Sequence, residues 1–201
     1  MNNKEKILAA AEKIFVRDGF DGARTNAIAK EAGVNKAMLH YYFDDKGKLF
    51  EQVFKMKSSQ FFPKISAYFL SDNSVQEKMD YFIETYMNLL IANPKIPPFV
   101  ICTMNKYPGF IRVFPKGFLE SMITYLQVES DAGKIKKLDA RQFFMSVVGM
   151  CVFPFIAKTV IGHMMNLKEG EFDDILEGRK EEVKSYVRAI LQLPYIPPNS
   201  E

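Results

Sequence analysis

Between residues 24 and 46 the sequence gathers side chains that can hold an anionic polymer. Arg24, Lys36 and Lys46 each stand at or beside the expected start of a helix. Backbone N–H groups at a helix start lack intrahelical partners and favour phosphate oxygens, so a neighbouring cation completes an anchor for a nucleic-acid backbone. Thr25 and Asn35 can donate to phosphate as well as cap their helices. Lys36, Ala37, Met38, His40 and Tyr41 then share one short helix. Lys36 can donate to guanine O6 and N7; Ala37 permits close approach or meets a thymine methyl; Met38 offers apolar contact. His40 and Tyr41 can each reach a phosphate or a base edge. The plainer reading of the same residues is the solvated face of an ordinary helical hairpin.

What decides between these readings is the set of elements that must position the residues. Asn2 and Glu5 can form a capping box, and Ile7, Leu8, Ala11, Ile14 and Phe15 repeat at helical spacing to give one apolar stripe. Gly19 supplies a left-handed end, onto which Phe20 can fold back. Thr25 is expected to cap a short helix with Ile28, Ala29 and Ala32 inward. Gly33 ends it, Val34 enters the core, and Asn35 caps a second short helix whose Leu39 and Phe43 face inward. Two short helices joined by a glycine-containing turn are the signature of a helix-turn-helix. Asp45 caps the next helix, with Leu49, Phe50, Val53 and Phe54 on its apolar face. The expected division is a head over residues 1–48 and a body over 49–201, joined by this helix until Pro63 kinks or breaks it.

The body reads as helix throughout, punctuated by proline, so the fold class is all-α. A Ser74–Glu77 capping box opens one helix, and Asn93 and Pro94 end it. Pro97 and Pro98 open a short helix through Lys106, Pro108 and Pro115 bracket an unassigned stretch, and residues 118–127 are amphipathic. An apolar segment over 143–165, a charged loop over 167–174 and a last helix over about 175–193 follow. The tail YIPPNSE is expected to be frayed or extended.

With 48% hydrophobic and 25% charged residues in a chain of 201, the composition is that of a globular protein with a sizeable core. A net charge of +3 permits a nucleic-acid partner without demanding one. The N-terminus lacks the apolar run of a secretory signal. The 143–165 segment is interrupted by Gly149, Pro154, Lys158, Gly162 and His163, and reads as a helix buried in an interface, not a membrane span. A cytoplasmic protein without membrane contact is expected. Cys102 and Cys151 read as buried free thiols of a reducing compartment. His40 and His163 stand apart, and no nucleotide loop, nucleophile motif or metal-ligand spacing occurs. No catalytic residue, metal or cofactor is expected.

The stretch TNAIAKEAGVNKAMLHYYFDDKGKLF resembles the DNA-binding region of the TetR family of bacterial transcriptional regulators. The usual family wording is close to T-x-x-x-I-A-x-x-A-G-V-S-K-G-T-L-Y-H-Y-F-x-S-K-E-x-L. Relative to Thr25, Ile28 falls one position early, whereas Ala29, Ala32, Gly33, Val34, Lys36, Leu39, Tyr42, Phe43, Lys46 and Leu49 fall in register. Asn35 replaces the usual Ser and keeps the cap. Ala37 and Met38 stand where Gly and Thr or Ala are common, His40 and Tyr41 reverse the common Tyr-His pair, and Gly47 replaces an acidic helix former. The resemblance implies phosphate contacts from Thr25, His40 and Lys46, and base-edge contacts from Lys36, Ala37 and Tyr41.

It also implies a homodimer, in which the apolar helix and the last helix pack against their copies as a four-helix interface. Phe153, Ile161, Met165, Val183, Val187 and Ile190 are its candidates. Phe82, Tyr86, Met104, Phe114, Phe118, Met122, Phe144 and Phe155 are either plain core or the lining of a pocket for a small apolar or amphipathic effector. By the resemblance, such an effector moves the connecting helix and releases double-stranded DNA carrying a palindromic operator. The expected function is a sequence-specific transcriptional regulator acting as a repressor. The competing reading, kept open by Ala37, Met38 and Gly47, is a helical ligand-binding or protein-interaction dimer without specific DNA binding.

Overall fold

Asn2 opens the chain's first helix as its sequence demands. In the computed structural model, its side-chain oxygen accepts from the Glu5 amide at 2.9 Å while the Glu5 carboxylate accepts from the Asn2 amide at 3.0 Å. The structure describes residues 2–59, 61–115 and 117–192, with the side chain of Gln192 left aside. Among these, every regular element is a helix. The YIPPNSE tail lies outside the described residues.

Packing divides the chain into two units, residues 1–60 with 95–115 and residues 61–94 with 116–201. The sequence-based division after residue 48 differs from this grouping. The whole of the fourth helix stays with the head, and a segment from much later in the chain joins it.

The first unit holds α1 (Asn3–Gly22), α2 (Thr25–Glu31), α3 (Lys36–Phe43), α4 (Lys46–Ser58), α7 (Ile96–Lys106) and a 3₁₀ helix, Pro108–Val113. Ile7, Ile14, Phe15, Ile28, Leu39, Leu49 and Phe50 are fully buried at its centre. Gly19 takes φ 73° and ψ 172°, a conformation open essentially to glycine, and it bends the last turn of α1. Phe20 then folds back as expected, with its ring centre 5.9 Å from Phe15 and 5.5 Å from Phe50. Phe99 of α7 lies 5.7 Å from Phe50, and Phe110 of the 3₁₀ helix lies 4.6 Å from Phe50 and 5.1 Å from Phe20. Polar contacts fasten the same segment. Lys106 Nζ reaches Asp21 at 2.6 Å, the Tyr107 hydroxyl donates to the same carboxylate, and Arg112 Nε donates to Glu51 at 3.0 Å.

The second unit holds α5 (Phe62–Phe69), α6 (Val75–Ala92), α8 (Phe118–Asp131), α9 (Ala140–Ile156), α10 (Lys158–Met164) and α11 (Glu171–Gln192). Its core is built from Met79, Ile83 and Met87 of α6, Met122 and Leu126 of α8, Val147 and Cys151 of α9, and Val183 and Val187 of α11. Lys184 bonds Glu84 at 2.5 Å and Arg188 bonds Asp80 at 2.8 Å, tying α11 to α6. Pro63 falls in the first turn of α5, so α4 stops at Ser58 and a new helix begins at Phe62.

Three expectations change here. The apolar 143–165 segment is two helices bent by 75° between Ile156 and Lys158, with the break after Pro154. Pro154 stays helical and leaves the Met150 carbonyl without its usual donor; Arg179 Nε approaches that oxygen at 3.4 Å. Among the described residues, no single helix is long and apolar enough to cross a membrane. The last helix starts four residues earlier than expected, because Phe172 and Leu176 are already buried and Glu171 accepts from the Lys168 amide at 2.7 Å. Cys102 is exposed: α7 turns Thr103 inward, which leaves the preceding position on the outer side.

Candidate nucleic-acid interface

The helix-turn-helix is assembled by caps at both ends of its turn. Gly33 takes φ 67°, and Val34 N donates to Ala29 O at 3.0 Å as the chain leaves α2. Asn35 Oδ1 accepts from Met38 N at 2.8 Å and starts α3. Burial of Leu39 and Phe43 on one side of α3 fixes its rotation about its own axis. Each such side chain contributes about 1.5–3 kcal/mol on burial, enough to hold the opposite face outward. That face carries Lys36, Ala37, His40 and Tyr41, all exposed, with Tyr41 82% accessible, while Met38 is half-buried.

The charges of the head separate by pairing. Lys13 bonds Glu31, Arg17 bonds Asp18, Lys57 bonds Glu12, and Lys106 bonds Asp21. Hydrogen bonds from Arg17 to Asp18, and from Lys106 and Tyr107 to Asp21, hold both carboxyls below the usual carboxylate range. Asp18, Asp21 and Glu31 are therefore each paired with a cation, whereas Asp44 and Asp45 form no ion pair among the described residues. Among the described residues, Arg24, Lys30, Lys36 and Lys48 have exposed side chains with no such partner. This is the distribution that attracts phosphate.

Several expected roles are refined. Thr25 is the first residue within α2 and not its cap; Arg24 holds the cap position and has no short side-chain oxygen, so no side-chain cap bond forms. The half-buried Thr25 hydroxyl has no partner among the described residues. His40 Nδ1 lies 2.8 Å from the Asp44 carbonyl and must donate to it, since a carbonyl oxygen only accepts. This bond braces Asp44, whose φ of 53° is unusual for a residue with a side chain. With Nδ1 donating, Nε2 is an acceptor unless the ring takes a second proton, and an acceptor there suits an exocyclic base amine. A phosphate oxygen requires the imidazolium form. Lys46 is the largest departure: its ammonium donates to Phe20 O at 2.8 Å and Ala23 O at 3.2 Å and lies over the Phe20 ring. No local pattern signals this, because the partners lie more than twenty positions upstream. Gly47 also gains a reason. A Cβ there would stand 3.1 Å from Asp45 Oδ1 and 3.6 Å from the Phe110 ring.

Residues 7–53, which contain this arrangement, match the family described as bacterial regulatory proteins, tetR family. The match covers the head of the chain. The chain is 24% identical over 166 residues to the fatty acid metabolism regulator protein of Bacillus subtilis (strain 168), covering 80% of this chain and 83% of that protein. Over 52 residues it is 40% identical to the biofilm operon icaADBC HTH-type negative transcriptional regulator IcaR of Staphylococcus aureus (strain Newman), 26% of this chain and 28% of that protein. Its fold is similar to that of the fatty acid degradation regulator FadR from Bacillus halodurans, with a TM-score of 0.69 and 19% identity over 94% of this chain and 97% of that one.

The aromatic candidates for an effector pocket fall into place unevenly. Phe82, Met122, Phe144 and Phe155 are core residues, and Phe82 stacks on Tyr86 at 5.5 Å and on Phe144 at 5.4 Å. Phe118 packs on Phe62 at 4.8 Å. Met104 and Phe114 belong to the first unit, where Phe114 packs on Phe54. Burial raises the pKa of the Tyr86 hydroxyl. Of the interface candidates, Phe153 and Met165 are exposed and Ile161 and Ile190 are half-buried. Val183 and Val187 have no exposure at all and serve the chain's own core, which removes them from any contact with a second copy.

Proposed function

We propose that this chain is a DNA-binding transcriptional repressor that acts in the cytoplasm as a homodimer on a palindromic operator. The observation that carries the reading is the α3 surface. Leu39 and Phe43 lock the helix inward while unpaired Lys36, with Ala37, His40 and Tyr41, faces outward among unpaired Arg24, Lys30 and Lys48. Arg24, Thr25 and the amides near Asn35 are suited to the backbone, and Lys36, Ala37, Met38 and Tyr41 to bases. The IcaR relative, named as a negative regulator, supports repression.

Dimerisation is supported by apolar side chains that the chain does not cover. Met145, Phe153 and Ile156 of α9, Val160 and Met164 of α10, Met165 beyond it, and Ile175 and Tyr186 of α11 are all exposed. Two copies in contact through these residues would bury them and present two recognition helices to half-sites about 34–36 Å apart, or a multiple of that spacing. An amphipathic effector is supported by the aromatic group around Tyr86, whose hydroxyl makes no hydrogen bond among the described residues. It is also supported by relatives named for fatty acid metabolism and degradation.

Selection from random duplex DNA with the intact protein tests the reading. An enriched inverted repeat supports it. Equal, strongly salt-dependent binding to every sequence overturns it in favour of a helical dimer without specific readout.

A further inference from the structure

Away from the aromatic group, the second unit carries a cleft of about 1030 Å³ between the turn before α6, the α8–α9 loop and the end of α11. Its wall includes Lys78, which is only 4% exposed and which the described residues give no anionic partner. The Lys78 ammonium lies 4.2 Å from the centre of the Tyr125 ring, also in the wall. A cation–π contact offsets part of the cost of burying an ammonium, and an anion would offset more. Lys134, Lys136 and Lys137 stand in the same wall. The same wall holds Asp72, Glu129 and Asp131; Glu129 is taken by Lys134 at 2.9 Å, and Asp131 accepts from Gln127 at 3.0 Å. The first turn of α6, Val75 and Gln76, completes one side, and the Glu77 carboxylate already caps that helix start.

The loop bearing these lysines is fixed in place. The buried Ser130 hydroxyl accepts from Leu138 N at 3.0 Å and approaches the Lys136 carbonyl at 3.3 Å, while Gln127 Oε1 accepts from Ala140 N at 3.0 Å. Val75, Ile135 and Leu191 supply apolar walls beside the charge. A rigid cleft with a buried, uncompensated cation, an aromatic face and apolar walls is built for a small organic anion.

We infer that this cleft is a binding site for a small carboxylate or phosphate ligand, with Lys78 as the residue that pairs with the anionic oxygens. The site is separate from the aromatic group around Tyr86 and does not depend on DNA binding.

The experiment uses the full-length protein at fixed ionic strength set with chloride, titrated separately with inorganic phosphate and with hexanoate. Heat of binding and thermal midpoint are both read, because a ligand that binds only the folded state raises the midpoint with its concentration. At least one probe should bind saturably, and the arm that does so tells phosphate from carboxylate chemistry. Lys78→Met keeps the buried stem and should weaken that binding about tenfold or more, while Lys78→Arg retains it. Unchanged helical circular dichroism in Lys78→Met separates loss of the site from loss of the fold. Absence of saturable binding by either probe, or equal binding by the wild type and Lys78→Met, overturns the assignment.

Discussion

The ammonium of Lys46 sits 2.8 Å from the carbonyl oxygen of Phe20 and 4.6 Å from the centre of the Phe20 ring. A residue expected to hold DNA phosphate thus neutralises the carbonyl end of α1 and ties the start of α4 to it. Lys46→Met should therefore lower the unfolding free energy by about 1.5–3 kcal/mol, the range for hydrogen bonds that involve a charged group. Denaturant melts check this. A variant of unchanged stability with weakened DNA binding would return Lys46 to the phosphate role.

Lys36→Ala should behave in the opposite way. Lys36 is exposed and unpaired, so stability should stay within about 0.5 kcal/mol of the wild type. Recognition at particular operator positions should relax by about 1–3 kcal/mol. Arg24→Ala should instead weaken all duplexes alike and reduce the salt slope of log affinity by about one. Affinities measured across salt concentrations for matched and mismatched duplexes separate the two residues.

Phe110→Ala should destabilise the first unit by about 2–3 kcal/mol, since the ring fills the space against Phe20 and Phe50. DNA affinity should fall with the folded fraction, although Phe110 lies sixty-seven positions beyond the end of α3 (110 − 43). Hydrogen exchange of the α1 and α4 amides reads the loss directly.

Glu84 gives an acid-dependent part of stability. The hydrogen bond from Lys184 holds its carboxyl below the usual value, with Asn88 adding to the effect against the cost of burial. For Lys184, burial alone would lower the pKa, but bonds to Glu181 and Glu84 outweigh it and leave it raised. A carboxyl depressed in the folded state adds stability above its unfolded pKa of about 4.3 and loses it as pH falls below that value. Because the Glu84 side chain is 39% exposed, screening limits the contribution to about 0.5–1 kcal/mol. Glu84→Gln should match the wild type in strong acid and fall below it at neutral pH; parallel melts across pH would contradict this.

The two thiols should differ sharply. Cys102 is exposed, whereas burial pushes the Cys151 thiol up to about 12, opposed only in part by Arg179. A thiol reagent should therefore titrate Cys102 in the native protein and both cysteines after denaturation. Reaction of both at native rates would contradict the packing of α9.

The local grammar of the chain was legible in its sequence. Asn2, Asn35, Asp45 and Ser74 cap the helices they were expected to cap, and Gly19 and Gly33 take the positive φ their positions required. These features depend on neighbours within a few residues. The misplacements concern surfaces. The stripe of Val183 and Val187 declares that α11 must be covered, but it does not say whether α6 or a second copy covers it. Lys46 and Lys78 look like surface lysines in sequence, and their partners at Phe20 and Tyr125 become neighbours only through tertiary packing.

The return of residues 95–115 to the first unit has a consequence for synthesis. The ribosome delivers α1 to α4 first, yet the rings that close over Phe20 and Phe50 arrive with Phe99 and Phe110. Between those moments the nascent head has its turn and caps but an open aromatic seam. About half the chain must emerge before α3 rests on a finished foundation, and until then apolar rings of the head stay exposed to solvent.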